Sequence, residues 1–459
     1  MDCDMNHVKS LKCLICGREY RPDEVDYVCP RHGDEGILDV RYDYELIGRR
    51  ISPRSLAEDR DDTIWRYKPL LPVEPESPVP PLTVGGTPLY RADRLAAGLG
   101  LKHVWVKDEG REPSASFKDR ASAIAVVKAQ ERGAEVITTS STGNAGAALS
   151  ALCASVGQRN VIFVPESAPP AKITQLLVYG STVILVRGTY NDAFELCAQA
   201  AKEFGWYNRN TGYNPYMTEG KKTAAYEICE QLTAQVGARH SEPISLSPAL
   251  SSSDVTSGMT RSAPGNASLL RWEAPDRIFV SVGDGCVIGG IHKGLKDLMA
   301  LGWIRKMPKL MGVQAAGSAA LYNAWRTGIN AMEMTPIDAQ TIADSISAGL
   351  PADRIKGLAA VRETNGAYIK VTDDEILAAI PELARASGVF AEPAGAAAYA
   401  GLVKAVADGL VDPDERIVVL STGNGLKDIA SARRSVGEPM VVDKDLASVK
   451  KALKKDNNP

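Results

Sequence analysis

The stretch "PSASFKDRAS", residues 113–122, lies between two segments of different character. The segment before it, "HVWVKDE" at 103–109, is a short β-branched run typical of a buried strand. The segment after it, "FKDRASAIAVVKAQERG" at 117–133, has the length and composition of a helix. Lys118 therefore stands in a strand-to-helix connection among small and hydroxyl-bearing residues. A lysine in such a turn is usually a solvated charge, so its role depends on which other loops face it.

The same alternation of strand-like and helix-like segments runs through most of the chain. Further strand-like runs, mostly followed by Ala-rich or amphipathic stretches of helical length, occur at 135–141, 160–166, 182–188, 277–283, 310–317 and 416–423. Parallel strands that alternate with helices build sheets that are covered on both faces. The sequence therefore predicts an α/β fold with parallel sheets.

Composition limits the kinds of partner. The chain has 459 residues, a formal net charge of −3, 44% hydrophobic residues and 24% charged residues. This balance is typical of a soluble globular protein and gives no support to binding of nucleic acid or anionic membranes. No apolar run approaches the ~20 residues of a membrane span, and "MDCDMNHVKS" at 1–10 lacks the basic-then-apolar layout of a secretory signal. We therefore expect a cytoplasmic protein whose eight cysteines are metal ligands or core residues.

The composition also changes along the chain, which is long enough for more than one core. Six prolines between Pro69 and Pro81 predict an extended arm over the surface, and the Ser-, Pro- and Gly-rich segment 242–269 is typical of a flexible insert. The main α/β region is expected to have a smaller subdomain at about 120–215 and a larger one formed by its remainder. The predicted segments are an N-terminal extension, the arm, the main region and a tail, at 1–40, 41–84, 85–435 and 436–459.

The N-terminal extension contains a metal-ligand pattern. In "CLICGREYRPDEVDYVCPRH", residues 13–32, Cys13 and Cys16 form one pair and Cys29 and His32 another, each with two intervening residues. Such pairs can close a tetrahedral Cys3His site, which is typical of structural zinc. The alternative is a small hairpin with unligated thiols, the remnant of a lost metal site. In either case the extension is expected to be scaffold, because a site with four protein ligands leaves no open position.

Ligands of parallel α/β sheets bind beyond the carboxyl ends of the strands, so functional residues are expected in the other strand-to-helix loops as well as in that of Lys118. The loop "SSTGNAGAA", residues 140–148, places Ser141, Thr142 and Asn144 at the start of a helix. Free N–H groups there attract an anion such as a carboxylate. The alternative is an ordinary N-cap, which these residue types also favour.

Two further loops follow later strands. "SVGDGCVIGGIHKG", residues 281–294, is a Gly-rich turn whose amides can cradle a phosphate. It also resembles a dinucleotide-binding fingerprint, but the next strand is not followed by the expected acidic residue, so a single phosphate fits better. "LSTGNGLKD", residues 420–428, offers Thr422 to a ring nitrogen or is a plain tight turn.

Together the four loops supply an amine, a phosphate cradle, a carboxylate cradle and a hydroxyl for a heteroaromatic nitrogen. Pyridoxal phosphate uses three of these, the amine through an imine to lysine. The remaining anion site fits the carboxylate of an amino-acid substrate. The sequence therefore predicts a pyridoxal-phosphate enzyme that acts on a small-molecule amino acid.

Six motifs strengthen this prediction: "PSASFKDR", "STGN", "NPYMTEGKKTAAYEI", "VGDGCVIGGIHKG", "FAEPAGAAA" and "STGNGLKD". Over about residues 10–435 their order and spacing resemble the fold-type II (tryptophan synthase beta-like) pyridoxal-phosphate enzymes, and in particular the threonine synthases. The resemblance implies two parallel-sheet domains, a zinc-ribbon-like extension and a homodimer. It also implies a lyase that converts O-phosphohomoserine and water to L-threonine and phosphate.

The resemblance further implies roles for individual residues. Lys118 would form the Schiff base with the cofactor and then move protons as base and acid, Asn144 would bond the phenolic oxygen, and Thr422 would contact the pyridine nitrogen. Cofactor-phosphate amides are expected at five consecutive positions, Gly283, Asp284, Gly285, Cys286 and Val287. Substrate binding is expected from Ser116, Ser141, Thr142 and Asn214.

The chain also departs from the family pattern. Threonine synthases usually carry an arginine for the substrate phosphate where this chain has Met217, and the phosphate loop here contains Asp284 and Val287. A missing guanidinium beside a dianionic phosphate would cost on the order of 2 kcal/mol of binding. One interpretation is that a nearby cation, Lys221, Lys222 or Arg209, replaces the arginine.

Two other functions remain open at this point. One is a serine/threonine dehydratase or a related β-eliminating ammonia-lyase acting on another amino acid. The other is a non-catalytic binding protein that has kept the fold. The second alternative conflicts with the retention of Lys118 and of every motif that would face the cofactor.

Overall fold

The computed structural model describes residues 7–141, 143–166, 168, 170–188, 190–237 and 271–456. Two predicted features lie outside these residues, the substrate-binding Thr142 and the flexible insert at 242–269.

Thirteen strands are formed by the described residues. They are β1 Val8–Cys13, β2 Glu19–Tyr20, β3 Leu38–Tyr42, β4 Leu89–Arg91, β5 His103–Asp108, β6 Val136–Ser140, β7 Arg159–Pro165, β8 Thr182–Val186, β9 Tyr207–Asn208, β10 Arg277–Ser281, β11 Lys309–Ala315, β12 Ala367–Val371 and β13 Arg416–Ser421.

Sixteen α-helices accompany these strands in the described part of the chain. They are α1 Tyr44–Arg50, α2 Pro53–Glu58, α3 Asp93–Gly98, α4 Lys118–Glu131, α5 Asn144–Val156, α6 Pro170–Val178, α7 Tyr190–Phe204, α8 Met217–Lys221, α9 Thr223–Gly237, α10 Cys286–Ala300, α11 Ala320–Thr327, α12 Arg354–Glu363, α13 Asp373–Ser387, α14 Pro393–Ala407, α15 Ile429–Arg434 and α16 Leu446–Asp456.

The largest sheet has six strands in the order β12-β11-β10-β13-β5-β4. All neighbouring pairs are parallel except β4 and β5, which are antiparallel. Successive side chains of a strand point to opposite faces, and both faces of this sheet are buried. In β10, Ile278 packs into the same core as Ile291 of α10, whereas Phe279 packs with Ala397 of α14 on the other side. The near-continuous apolar strands in the sequence are explained by this double coverage.

A second sheet has four parallel strands in the order β8-β7-β6-β9. Its strands lie between residues 136 and 208, inside the range 120–215 given above for the smaller subdomain. Ile137 packs in the main core together with Leu149 of α5, and Val136 packs with Cys197 of α7 on the opposite face. The two parallel sheets agree with the predicted α/β fold class.

A small antiparallel sheet in the order β2-β1-β3 forms the N-terminal extension. Leu11 of its central strand pairs with Tyr20 on one side and Val40 on the other. Leu11 and Val40 are buried in the main hydrophobic core. The extension therefore packs on the body of the protein.

The segment 41–84 differs from the predicted extended arm. Tyr42 ends β3, and α1 and α2 follow within the segment. Ser52 caps α2, and Pro53 occupies its first turn, where a missing N–H costs no hydrogen bond. Trp65 and Tyr67 are buried in the core. Of the six prolines between Pro69 and Pro81, only Pro69 lies in a helical turn, Ile64–Leu70, and residues 71–84 form neither helix nor strand. The departure from an extended arm is therefore confined to residues 42–70, where the buried aromatic residues lie.

The predicted C-terminal tail contains α16, up to Asp456. None of the helices in the described ranges combines the length and apolar character that a membrane crossing requires.

Candidate active site

The loop that carries Lys118 is joined to the loop after β13. The N–H of Phe117 donates to the carbonyl of Thr422 at 3.0 Å, and the N–H of Asn424 donates to the carbonyl of Ala115 at 3.1 Å. Two stretches about 300 residues apart are thus held side by side at the carboxyl edge of the six-stranded sheet. The loop that carries Lys118 therefore lies against the loop that carries Thr422.

A strained residue precedes Lys118. Ala115 has a φ of 63°, in the left-handed region that non-glycine residues seldom occupy. Its neighbour Ser116 is fully buried, and the Ser116 hydroxyl has no hydrogen-bond partner among the described residues. A conformation of this kind persists only where the surroundings over-determine it, and such residues cluster at ligand sites.

Three helices at this edge begin without a side-chain cap from any described residue. They are α4, α5 and α10, which begin at Lys118, Asn144 and Cys286. Elsewhere Asp43 caps α1 and Thr372 caps α13, although α3, α11 and α12 also begin without a side-chain cap from the described residues. Uncapped N-terminal N–H groups attract anions. At α5 the ordinary N-cap interpretation lacks a capping bond, although Ser141 accepts from the N–H of Gly143 at 3.1 Å.

The Gly-rich loop between β10 and α10 packs tightly. A Cβ at Gly283 would lie 2.8 Å from the Cα of Ile346, and Gly285 has a φ of 89°, so glycine is required at both positions. The side chain of Asp284 accepts from the N–H of Ala352 at 3.2 Å. Asp284 is thereby held against a neighbouring loop, which explains how an acidic residue is accommodated in a loop expected to bind phosphate.

Electrostatics favour a reactive amine at Lys118. Burial lowers the pKa of Lys118, and the positive charge of Arg209 lowers it further. Cys286, Glu392 and Asp284 act on this pKa in the opposite direction. A lysine with a lowered pKa is neutral more often, which is the state that attacks a carbonyl group.

Glu392 is a site residue that sequence reasoning missed, although its motif "FAEPAGAAA" is among the six. Its Oε1 accepts from Asn144 Nδ2 at 2.5 Å, and its N–H donates to the carbonyl of Gly423 at 3.1 Å. Burial raises the pKa of Glu392. The sequence signal was its position just before Pro393, which predicts the N-cap of a helix. In the structure Glu392 is the N-cap residue of α14 but makes no side-chain capping bond among the described residues.

Several buried hydroxyls at the strand ends lack a partner in the described part of the chain. Ser140, Ser281 and Ser421 are the last residues of β6, β10 and β13, and each side-chain oxygen is buried without a hydrogen bond. Buried polar atoms of this kind usually have a partner, so these point to a polar ligand at the sheet edge. The uncapped helices, the orphan hydroxyls and Lys118 together form a donor set that fits pyridoxal phosphate.

Asn214 differs from the other predicted substrate-binding residues. Its Nδ2 donates to the carbonyl of Asn208 at 2.8 Å, and its Oδ1 accepts from the N–H of Tyr216 at 3.0 Å. Both ends of the amide therefore hold the turn before α8. The predicted contact with substrate stays a prediction.

The four predicted metal ligands converge in the extension. One ligand atom each from Cys13, Cys16, Cys29 and His32 lies within 4.8 Å of all the others. His32 Nε2 is buried with no hydrogen-bond partner among the described residues. This donor set fits a tetrahedral zinc ion.

A second charged cluster lies behind the Lys118 loop. Arg120 is fully buried, with Nε 2.7 Å from Glu109 Oε2 and 3.2 Å from Glu112 Oε1, and with NH1 2.6 Å from Glu227 Oε1. Lys107 Nζ lies 2.6 Å from Glu227 Oε2. Burial holds the pKa of Glu112 well above its ordinary value, which favours its neutral form and leaves two cations facing two carboxylates. We call this group the Arg120 cluster.

Comparison with known proteins identifies the family of this chain. A family model described as "Pyridoxal-phosphate dependent enzyme" matches residues 81–240 and 238–423. The threonine synthase of Methanocaldococcus jannaschii is 38% identical over 445 residues, covering 96% of this chain and 99% of that protein. The threonine synthase of Methanosarcina acetivorans is 37% identical and covers 96% and 98%.

Solved structures support the same fold. Diaminopropionate ammonia lyase from Escherichia coli superposes with a TM-score of 0.59 at 19% identity, covering 76% of this chain and 87% of that one. Threonine deaminase isoform 2 from Solanum lycopersicum gives a TM-score of 0.57 at 19% identity, with coverages of 80% and 82%. At this identity the structures confirm the fold class only. The sequence relatives confirm the cofactor and the lyase class, and the chain therefore belongs to the pyridoxal-phosphate dependent enzyme family and, within it, to the threonine synthases.

Proposed function

We propose that this chain converts O-phosphohomoserine and water to L-threonine and phosphate, with pyridoxal phosphate bound at the Lys118 loop. The observation that carries the proposal is that contacts and charges link Lys118 to the uncapped starts of α5 and α10. The loop of Lys118 bonds the loop of Thr422, Glu392 bonds both Gly423 and Asn144 of α5, and Cys286 of α10 acts on the pKa of Lys118. The two helices offer separate places for two anions, one for a cofactor phosphate and one for a substrate carboxylate.

Bound at this site, pyridoxal phosphate supplies an electron sink for the carbon atoms of the amino acid. The backbone N–H groups at the start of α10, in the loop Gly283–Val287, hold its phosphate. Thr422 faces its ring nitrogen, and Asn144 its phenolic oxygen. These roles are proposals that rest on the positions of the residues described above.

The substrate is held and protonated by groups of the same cleft. Ser116, Ser141 and the first amides of α5 bind the carboxylate. Lys118 Nζ takes a proton from Cα and returns protons during elimination and water addition, and its lowered pKa favours the neutral amine that this role as base requires. Glu392 holds the amide of Asn144 in place through their 2.5 Å hydrogen bond.

The reaction is tested by product analysis of the purified protein saturated with pyridoxal phosphate. With O-phosphohomoserine, threonine and inorganic phosphate should be released in equal amounts. Release of a 2-oxo acid and ammonia from serine or threonine, without turnover of O-phosphohomoserine, would instead assign the chain to the dehydratases.

The extension is proposed to bind one zinc ion through Cys13, Cys16, Cys29 and His32, as a structural site. Metal analysis of the pure protein should find about one zinc per chain. Chelation should loosen the extension first, with catalysis lost no faster than the extension's structure. Pure protein without zinc would instead favour a remnant hairpin.

Oligomeric state, location and domain division are properties of the whole chain. We propose a cytoplasmic homodimer without nucleic-acid or membrane partners, in line with the net charge of −3. We also propose that the two parallel sheets form the smaller and larger subdomains within residues 85–435. Sedimentation of the purified protein at twice the monomer mass would support the dimer.

A further inference from the structure

Two adjacent lysines at the end of α8 have different surroundings. Lys222 Nζ lies 2.8 Å from Glu219 Oε2 and 2.9 Å from Asp297 Oδ2, and it sits 3.9 Å from the ring centre of Tyr42. Tyr42 donates to Glu219 at 2.7 Å and so joins β3 of the extension to the same group. The charge of Lys222 is therefore used within the protein scaffold.

Lys221 is equally buried but has no such partner. Within the described ranges, no carboxylate lies within 4 Å of its Nζ, which donates only a long 3.4 Å hydrogen bond to Thr211 Oγ1. The guanidinium of Arg209 donates to the same oxygen at 3.2 Å. Arg209 also donates to Ser122 Oγ at 3.2 Å. Lys221, in contrast, is a buried cation beside a second cation and a neutral hydroxyl, an arrangement that disfavours its charge unless an anion joins it.

Backbone packing fixes where Lys221 emerges. A Cβ at Gly290 of α10 would lie 2.6 Å from Lys221 Cβ, so only a glycine allows the two helices to approach this closely. A Cβ at Gly212 would lie 2.5 Å from Ala352 Cβ, which closes the loop after β9 against the loop that holds Asp284. Lys221 therefore stands beside the start of α10 and under the Thr211 loop.

The charges that act on Lys221 also associate it with the start of α10. Burial lowers the pKa of Lys221 to about 8, while the charges of Arg209 and Lys118 lower it and those of Cys286 and Asp353 raise it. Arg209 and Cys286 also act on the pKa of Lys118, so Lys221 and Lys118 share electrostatic surroundings. A bound dianion would reverse the repulsion between the three cations.

Met217 explains why this cation is needed. It is fully buried and lies four residues before Lys221 on α8, so both side chains leave the same face of the helix. A thioether offers nothing to a phosphate, whereas an ammonium one helical turn later donates charge-assisted hydrogen bonds. The start of α10 is the place proposed above for the cofactor phosphate, so Lys221 and Arg209 are available to a second phosphate group.

We propose that Lys221 and Arg209 bind the phosphate group of a phosphorylated amino-acid substrate and thereby set the preference for this leaving group. The proposal rests on the proposed function and assigns its substrate-phosphate contacts. Thr211 is the positioning residue, since its hydroxyl holds both cations.

The test compares Lys221→Gln with Lys221→Arg, which keeps the charge. In the holoenzyme, Lys221→Gln should raise KM for O-phosphohomoserine and weaken binding of inorganic phosphate, measured calorimetrically, by about tenfold or more. The kcat should change less, and Lys221→Arg should restore most of the loss. Thr211→Val, at a partly exposed position, should weaken phosphate binding in the same direction but less.

Cofactor affinity separates this role from binding of the cofactor phosphate. Titration of cofactor absorbance should give Lys221→Gln a cofactor Kd within about twofold of wild type. A cofactor Kd weakened tenfold with unchanged phosphate binding, or unchanged phosphate binding and KM, would overturn the proposal. If the wild type does not turn over O-phosphohomoserine, the proposed function fails, but the binding of inorganic phosphate still decides the role of Lys221.

Discussion

The Arg120 cluster and the Lys118 cleft lie two residues apart in sequence but use buried charge in opposite ways. In the Arg120 cluster every cation has a carboxylate within 2.7 Å, as in the contacts of Arg120 with Glu109 and Glu227. In the cleft, neither Lys118 nor Lys221 has a carboxylate within 4 Å among the described residues. Positions two apart on a helix point to nearly opposite sides, so α4 can serve both regions.

The difference separates scaffold from function. Buried ion pairs that are complete stabilise a particular packing but offer nothing to a ligand. Buried cations without counter-ions destabilise the free protein and gain most when a ligand neutralises them. Burial of a charged side chain does not by itself indicate a ligand site, whereas burial of a cation without a counter-ion does.

The largest expected effect comes from removing the cleft amine. Lys118→Ala should lower turnover by at least about a thousandfold, because both the cofactor attachment and the proton transfers are lost. The protein should remain folded, since Lys118 has no ion pair to lose within the described ranges. Borohydride reduction followed by peptide mass analysis checks the attachment. Lys202→Ala, at an exposed position of α7, is the control. Normal activity, or cofactor trapped on another lysine, would contradict the assignment.

Breaking the complete cluster should act on stability instead. Arg120→Met leaves Glu109 and Glu227 buried without their main partner, so the free energy of unfolding should fall by about 3–5 kcal/mol. Urea unfolding followed by far-UV circular dichroism measures the change. Arg111→Gln removes an exposed partner of Asp108 and should cost less than about 1 kcal/mol. Equal losses of unfolding free energy in the two variants would contradict the structural role given to the Arg120 cluster.

Glu392 tests whether the cleft is destabilised for function. Its raised pKa means that the folded state binds the proton more tightly, so this group's contribution to stability is lost as the pH rises above about 4.5. The glutamine of Glu392→Gln does not titrate, so the Tm of this variant should rise relative to the Tm of wild type as the pH increases. Its kcat should fall about tenfold, because the charge-assisted bond to Asn144 is weakened.

Cofactor-free protein scanned between about pH 4 and pH 8 gives the Tm comparison for Glu392→Gln. Glu166→Gln, at an exposed position, is the matched control. A Tm difference that is constant across this range would show that Glu392 does not titrate in the folded protein.

The smallest effect is expected at Met217. Met217→Arg should raise kcat/KM for O-phosphohomoserine by less than about twofold, because the added guanidinium meets the charges of Lys221 and Arg209. In the Lys221→Gln background the same arginine should recover more of the lost phosphate binding. Steady-state kinetics of the single and double variants measure the coupling. A large gain in the wild-type background would mean that Lys221 leaves the phosphate uncovered.

The main strands were predictable because they are buried on both faces. The runs predicted at 103–109, 277–283 and 416–423 correspond to β5, β10 and β13, each within two residues at its ends. Such strands are continuous apolar segments between turns, so their periodicity needs no tertiary information. The helices α1 and α2, within the arm predicted at 41–84, carry no such local signal, because they are short and depend on capping by Asp43 and Ser52 and on contacts with the core.

The site was predictable only where residues share a loop. Lys118, Asn144 and Thr422 stand in strand-to-helix connections and carry recognisable neighbours. Glu392 meets Asn144 from 248 positions away, and a contact of that kind has no local signature. Three cations near Met217 were equal candidates in the sequence. Only the contacts of Lys222 with Glu219 and Asp297 remove it from the choice.

The junction of Tyr42, Glu219 and Lys222 limits how this protein can be re-engineered. A chimera that exchanges the extension together with the whole of β3 would also exchange Tyr42, whose hydroxyl bonds Glu219 and whose ring covers Lys222. Asp39 would be exchanged with it, leaving Lys293 of α10 without its 2.6 Å partner. Grafts that end before Leu38, the first residue of β3, keep these contacts. The boundary at which the extension can be exchanged therefore lies inside the small sheet and not at its end.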